Sequence, residues 1–281
     1  MHCFHENSRA VEDEIHTDFK DAMSYGDYLK LEQVLSAQQP LSDQHDEMLF
    51  IVIHQSSELW LKLAGHELDR VINNLQNGCF GQAFKVISRI KQILNHLTQS
   101  WSILSTLTPA DYCKFRDSLG HSSGFQSCGY RKVEFILGNK NAALLKVYES
   151  NPLAHQELKQ ALDSPGLYDV VLRLLYENGL LLDGDVLARD FSEPYQRNES
   201  VLNAWLTVYQ DADHYFQLYE LAEKLIDIED SFQQWRFRHM YTVQRIIGNK
   251  TGTGGSSGVG FLQKALDISF FPELFELRTH L

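Results

Sequence analysis

The chain has 281 residues, 43% hydrophobic and 22% charged, enough to bury a sizeable core and too mixed for a disordered or fibrous class. Its 25 basic against 37 acidic residues leave a formal charge of −12, which repels phosphate backbones and argues against nucleic acid as a partner. The four cysteines, Cys3, Cys79, Cys113 and Cys128, form no C-x-x-C pair, which excludes zinc ribbons, thioredoxin-like sites and covalent c-type haem attachment. The N-terminus lacks the basic start and apolar core of a signal peptide, and no run reaches the roughly 18 apolar residues of a membrane span. The expectation is a reduced, cytoplasmic protein with no membrane contact.

The pattern is helical almost throughout. Between residues 46 and 77, Leu49, Val52, Ile53, Leu59, Leu63, Leu68, Val71, Ile72 and Leu75 recur mostly three and four apart, and Gly78 supplies a stop. A second helix follows, with Phe84, Ile87, Ile90, Leu94, Leu97, Trp101 and Leu104 on one stripe. Thr108 and Pro109 make a cap and a first-turn proline for a short helix running to about Ser118. A loop at 120–124 precedes a helix over 130–137. Asn151-Pro152 and Ser164-Pro165 punctuate two more helical segments. Residues 199–247 form a long helical tract, read as two helices, and a glycine-rich loop at 251–260 is expected to be mobile. Segments 261–268 and 271–275 end the chain. Period-two strand signals are scarce and no linker or repeat is present. The expected fold is a single all-α helical bundle.

Several motifs fail on inspection. The glycines of the loop do not follow G-x-G-x-x-G, and no strand precedes them. Asn249 stands where a P-loop needs glycine before Lys250. His66-Glu67 begins like a zinc protease motif but ends on Arg70. No Glu-x-x-His pair exists for a di-iron bundle. A metal here is therefore expected through histidine alone.

Three constellations survive. Phe50 and His54 lie four apart, on one helix face of an apolar run. The spacing fits a satisfied core histidine as well as a ligand or polar contact. Tyr112 and Arg116, also four apart, suit bidentate capture of a carboxylate, but equally a surface ion pair of Arg116 with Asp111 or Asp117. His239 lies on an apolar stripe between Trp235 and Val243. It reads either as a core residue or as a haem ligand, with Arg236, Arg238 and Arg245 as cations for propionates.

Long motifs separate these alternatives. The stretch Phe50-Ile51-Val52-Ile53-His54-Gln55-Ser56-Ser57-Glu58-Leu59-Trp60-Leu61-Lys62-Leu63 resembles the signature of the tryptophan 2,3-dioxygenase family. So do Phe115-Arg116-Asp117 followed by Ser122-Ser123-Gly124-Phe125-Gln126-Ser127, and Trp235-Arg236-Phe237-Arg238-His239-Met240 running on to the loop at 252–262. The similarity covers the chain from about Met23 to its end, in the family's order.

The resemblance implies a haem b enzyme, one ferrous haem per subunit in the active state, that opens the indole 2,3 bond of L-tryptophan with O2. The product would be N-formyl-L-kynurenine, the first step of tryptophan breakdown by the kynurenine route. It implies His239 as the iron ligand, His54 as the histidine beside the indole nitrogen, and Phe50 as a pocket wall. It places Arg116 and Tyr112 at the substrate carboxylate and Thr253 at its amino and carboxylate groups. Ser123 is implied at the haem edge and Trp101 as a haem-side aromatic. Tyr25, Tyr28 and Leu29 would belong to an N-terminal segment that completes a neighbouring subunit's pocket in a homotetramer. Residues 1–22 match nothing in that pattern and are expected to be a poorly ordered extension, leaving 23–281 as the haem domain. A helical haem carrier or sensor is the non-enzymatic alternative; it needs His239 but none of Arg116, Tyr112 and Thr253. A related indoleamine dioxygenase with wider substrate tolerance is the enzymatic one.

Overall fold

The computed structural model describes residues 11–281, so Cys3 lies outside the described residues. The chain divides into two units, the first 40 residues and residues 41–281. In the first, residues 11–24 form turns and no helix, and two short helices follow, α1 (Tyr25–Leu29) and α2 (Leu31–Leu35). Ser24 caps α1 reciprocally with Asp27: the Asp27 N–H donates to Ser24 Oγ at 3.1 Å and the Ser24 N–H to Asp27 Oδ2 at 3.2 Å. Lys30, at φ +52°, ends α1 and turns the chain into α2. Neither helix buries a residue.

The second unit is an all-helical body. Its spine is α3 (His45–Gln76), α4 (Phe80–Leu104) and, further along the chain, α11 (Phe216–Ile247), with α4 packed against both others. The three-residue connection Asn77-Gly78-Cys79, with Gly78 at φ +69°, folds α3 and α4 into a helical hairpin. Between the spine helices run α5 (Pro109–Phe115), α6 (Cys128–Leu137), α7 (Pro152–Asp163), α8 (Leu167–Glu177), α9 (Gly184–Leu187) and α10 (Glu199–Gln210). The chain closes with α12 (Val259–Ala265) and α13 (Pro272–Glu276). Leu68, Val71, Leu75, Ile87, Leu94, Leu225, Ile228 and Phe232 are buried in one continuous core, the term that stabilises the body most. Among the described residues there is no strand, and no helix is long and apolar enough to cross a membrane.

The helix ends differ from the sequence reading where capping chemistry intervenes. The 130–137 helix starts at Cys128, because Ser127 Oγ accepts the Tyr130 N–H at 3.0 Å. The helix begun at Pro109 stays α-helical only to Phe115 and tightens into a 3₁₀ turn over Arg116–Leu119. The tract 199–247 breaks at 211–215 into α10 and α11. Buried Lys140 stops α7 from outside: its ammonium donates to the carbonyls of Ala161, Leu162 and Ser164 at 2.6, 2.9 and 2.8 Å.

Candidate functional site

The apolar stripe of α11 turns Trp235 and His239 toward α4, where Trp101 waits. The His239 ring lies 4.6 Å from Trp101 at 16° and 5.5 Å from Trp235 at 29°, and the two indoles are 5.8 Å apart. These lengths make a triangle, so both indoles press on one flank of the imidazole. The indole N–H groups of Trp101 and Trp235 are buried without a hydrogen-bond partner. Burial, and secondly the nearby charge of His54, hold the His239 pKa at about 4. The ring is therefore neutral at neutral pH, the form that ligates metals.

A second cluster comes from α3 and α5. The Phe50 ring lies 4.2 Å from His54, 5.9 Å from Tyr112 and 5.7 Å from Phe115. His54 Nδ1 is 2.7 Å from the Phe50 carbonyl oxygen. A carbonyl only accepts, so Nδ1 carries the proton and Nε2 keeps a free lone pair. Burial pushes the His54 pKa down, against the opposing pull of the Phe50 carbonyl and Glu58. His54 lies near enough for its charge to act on His239, so the two clusters share one locality.

Arg116 closes the group. Asp111 is taken by Lys114, at 2.8 Å, and by the Thr108 hydroxyl, at 2.6 Å. Among the described residues no carboxylate pairs with Arg116, which removes the surface ion-pair reading. Its Nη2 donates to the Thr251 carbonyl at 2.6 Å, and its Nε is buried without a partner. Tyr112 is buried beside it. Burial raises the phenol's pKa, and the guanidinium pulls back against that.

The glycine loop sits on the same segment. Thr253 donates its hydroxyl to the Ser122 carbonyl at 2.5 Å. A Cβ on Gly254 would fall 2.7 Å from Ser123 Cβ, so only glycine allows this approach. Gly258, at φ +62°, closes the loop with no room for a side chain: a Cβ there would fall 2.5 Å from the Lys250 carbonyl oxygen. The loop read as mobile is thus docked, through Thr251 on Arg116 and Thr253 on Ser122. Ser123 Oγ itself accepts the Phe125 N–H at 3.3 Å.

The structure brings together Phe50, His54, Tyr112 and Arg116; His239 with Trp101; and Thr253 with Ser123. Tyr25, Tyr28 and Leu29 belong to the first unit, where they are 75%, 73% and 39% exposed. One expectation is corrected: Arg236 is no free cation beside His239 but is buried, donating to Glu134 at 2.9 Å. The Arg245 Nε donates to the Ser105 carbonyl at 3.1 Å. Sequence reasoning missed Phe115 as a wall and the Thr251 carbonyl as the arginine's partner. The first was legible in the apolar spacing; the second joins residues 135 apart in the chain. A wide groove of about 750 Å³ beside Thr98, Gln234, Phe237, Leu266 and Phe275 lies outside this group.

Among the described residues no three His, Cys, Asp or Glu side chains gather around a bare metal ion. One neutral imidazole packed against aromatic rings whose indole N–H groups are left unpartnered suits a metal that carries its own planar ligand, and so fits a haem.

The family profile described as Tryptophan 2,3-dioxygenase matches residues 10–281. The chain is similar to the tryptophan 2,3-dioxygenase of Shewanella woodyi, 73% identical over 98% of this chain and 96% of that one. It is 54% identical to that of Bacillus thuringiensis strain Al Hakam, over 98% and 99%. The enzyme of the same name from Geobacillus thermodenitrificans matches at 54%, again over 98% and 99%. With coverage near complete on both sides, this chain belongs to the tryptophan 2,3-dioxygenase family.

Proposed function

We propose that this protein is a haem-dependent dioxygenase that opens the indole 2,3 bond of L-tryptophan with O2, yielding N-formyl-L-kynurenine. Family membership supports the reaction. The observation that carries the site assignment is Arg116: a guanidinium with no carboxylate partner and an orphaned buried Nε, next to a buried phenol and an aromatic-lined histidine. That is an anchor awaiting an α-carboxylate. A haem carrier would have no use for it.

The proposed cofactor is haem b, one per subunit and ferrous in the working state, held by His239 against Trp101 and Trp235, with Ser123 at its edge. When bound, it supplies the oxygen chemistry and leaves the protein to bind and orient substrate. Arg116 receives the carboxylate, with Tyr112 beside it, a charge-assisted contact of about 1.5–3 kcal/mol. Thr253 stands at the substrate's amino and carboxylate groups, its hydroxyl oxygen accepting from the ammonium while its proton is held by the Ser122 carbonyl, and Phe50 and Phe115 wall the indole. His54 accepts the indole N–H through Nε2, the nitrogen left free by the Phe50 carbonyl. It orients the ring and holds that proton in a hydrogen bond, since an indole N–H is far too weak an acid to be taken outright by an imidazole of lowered basicity. The docked loop at 251–258 excludes water from the carboxylate end.

Tyr25, Tyr28 and Leu29 are proposed to complete a neighbouring subunit's pocket in a homotetramer. Their exposure supports this, because a short helix that buries nothing of its own gains stability by docking. The test of the function is an absorption spectrum of the reduced, haem-loaded protein, taken before and after L-tryptophan and then O2. Perturbation by L-tryptophan followed by N-formylkynurenine absorbance is expected; a haem spectrum indifferent to L-tryptophan would favour the carrier.

A further inference from the structure

The rings around His239 are packed, but nothing polar holds two of them. Trp101 and Trp235 bury their indole N–H groups without a partner, so packing alone sets their planes. The fixed member of the stack is Tyr130. Its ring lies 5.2 Å from Trp235 at 30° and 5.8 Å from Phe232 at 26°. Its hydroxyl donates to Glu134 Oε1 at 2.6 Å. Burial and the Glu134 carboxylate both raise the phenol's pKa, so it remains a donor.

Glu134 is itself immobilised. Oε1 also accepts from Arg236 Nη2 at 2.9 Å and Asn139 Nδ2 at 3.1 Å, and Oε2 accepts from Arg131. Arg236 lies three residues before His239 on α11. Its guanidinium rests in the corner made by the Phe232 and Phe270 rings, 4.8 and 4.9 Å from their centroids, and donates to the Ile268 carbonyl at 3.0 Å. One buried carboxylate on α6 thus fixes both the helix that carries His239 and the phenol at the end of its ring stack.

We propose that Tyr130, fixed by its hydrogen bond to Glu134, is a positioning residue that sets the orientation of the His239 ring through Trp235. The inference rests on His239 being the iron ligand. Tyr130 touches neither substrate nor reacting atoms; it acts through the stack. Glu134→Gln leaves two buried guanidiniums facing a neutral amide and risks the fold. Tyr130→Phe keeps the ring, leaves the carboxylate its other three donors, and takes from Arg236 only the long 3.4 Å contact of its Nε with the phenol oxygen.

The experiment is resonance Raman spectroscopy of the ferrous, ligand-free holoenzyme, reading the iron–histidine stretch, together with haem content and the kcat and KM for L-tryptophan. In wild type the band is present, and His239→Ala abolishes it. Tyr130→Phe is expected to shift or broaden the band and to lower kcat, with haem content normal and KM unchanged, since the anchor at Arg116 is intact. A wild-type band in a folded, haem-replete Tyr130→Phe protein would overturn the positioning role while leaving the His239 assignment standing. A band that survives His239→Ala would instead remove the assignment on which the inference rests.

Discussion

Arg116 and Asp111 sit five residues apart in the sequence, and charge alone would pair them. The structure gives Asp111 to Lys114 and Thr108 and leaves the guanidinium, held by the Thr251 carbonyl, with no carboxylate partner among the described residues. Arg116→Leu is therefore expected to leave haem content normal and raise the apparent KM for L-tryptophan. A loss of about 2–3 kcal/mol is roughly thirty- to a hundredfold or more in kcat/KM. Tryptamine, which lacks the carboxylate, should be a very poor substrate of the wild type; equal turnover of the two would remove the anchor. His54 makes a second test. Its useful form is neutral, because protonation turns Nε2 from acceptor into donor. Burial lowers its pKa below the ordinary 6.5, so the neutral form persists as pH falls through that value. The acid limb of the kcat/KM profile should therefore lie below the position an ordinary imidazole would give it. His54→Ala should flatten that acid limb and keep partial activity, down roughly ten- to thirtyfold for a contact of about 1.4–2 kcal/mol. Complete inactivity with normal haem and substrate binding would assign His54 the base role instead. Of these roles the sequence carries the residues and their spacing. The tautomer of His54 and the true partner of Arg116 depend on atoms that only the fold brings together.

At the scale of elements, the long helices α3, α4 and α11 are legible because each repeats its apolar stripe over many turns. The short α1, α2 and α9 are not, because four or five residues carry no period; for α1 the Ser24-x-x-Asp27 box was the signal available. The loop at 251–258 is legible as glycine-rich but not as docked. Its placement rests on the close approach of Gly254 to Ser123 and on the hydrogen bonds of Thr251 with Arg116 and Thr253 with Ser122, all between segments far apart in sequence. Gly254→Ala puts a methyl 2.7 Å from Ser123 Cβ and forces the loop outward, pulling Thr253 from the Ser122 carbonyl and Thr251 from Arg116. About a tenfold loss of kcat/KM is expected, seen mainly in KM. Ser123→Gly in the same chain removes the opposing atoms and should restore part of it. Steady-state kinetics of the single and double variants decide this; a double variant no better than Gly254→Ala would show that the contact is not what matters.

The molecule as a whole is legible as an all-helical body because its composition and its helix periods agree. Its buried polar connections are not. Glu134 and Arg236 meet across 102 residues, and nothing in either local pattern marks them as partners. Assembly belongs to this scale too. Deleting residues 1–30 should lower both oligomer order and activity, although Phe50, His54, Arg116 and His239 all remain. Light scattering and turnover of the truncated protein check this, and a monomeric truncation with full activity would refute shared sites. Co-refolding an Arg116→Leu chain with a Tyr25→Ala, Tyr28→Ala chain should regain some native sites, because an intact N-terminal segment can serve an intact pocket on another chain.

The central claim is that this chain inserts both atoms of O2 into L-tryptophan at the site of His239, His54 and Arg116. Mass spectrometry of the product formed by the reduced holoenzyme under isotopically labelled O2 tests it most directly. Our account predicts N-formyl-L-kynurenine carrying two labelled oxygen atoms, and no such product from His239→Ala. A haem-loaded protein that leaves L-tryptophan unchanged, or a product with label in only one position before exchange with water, would contradict it.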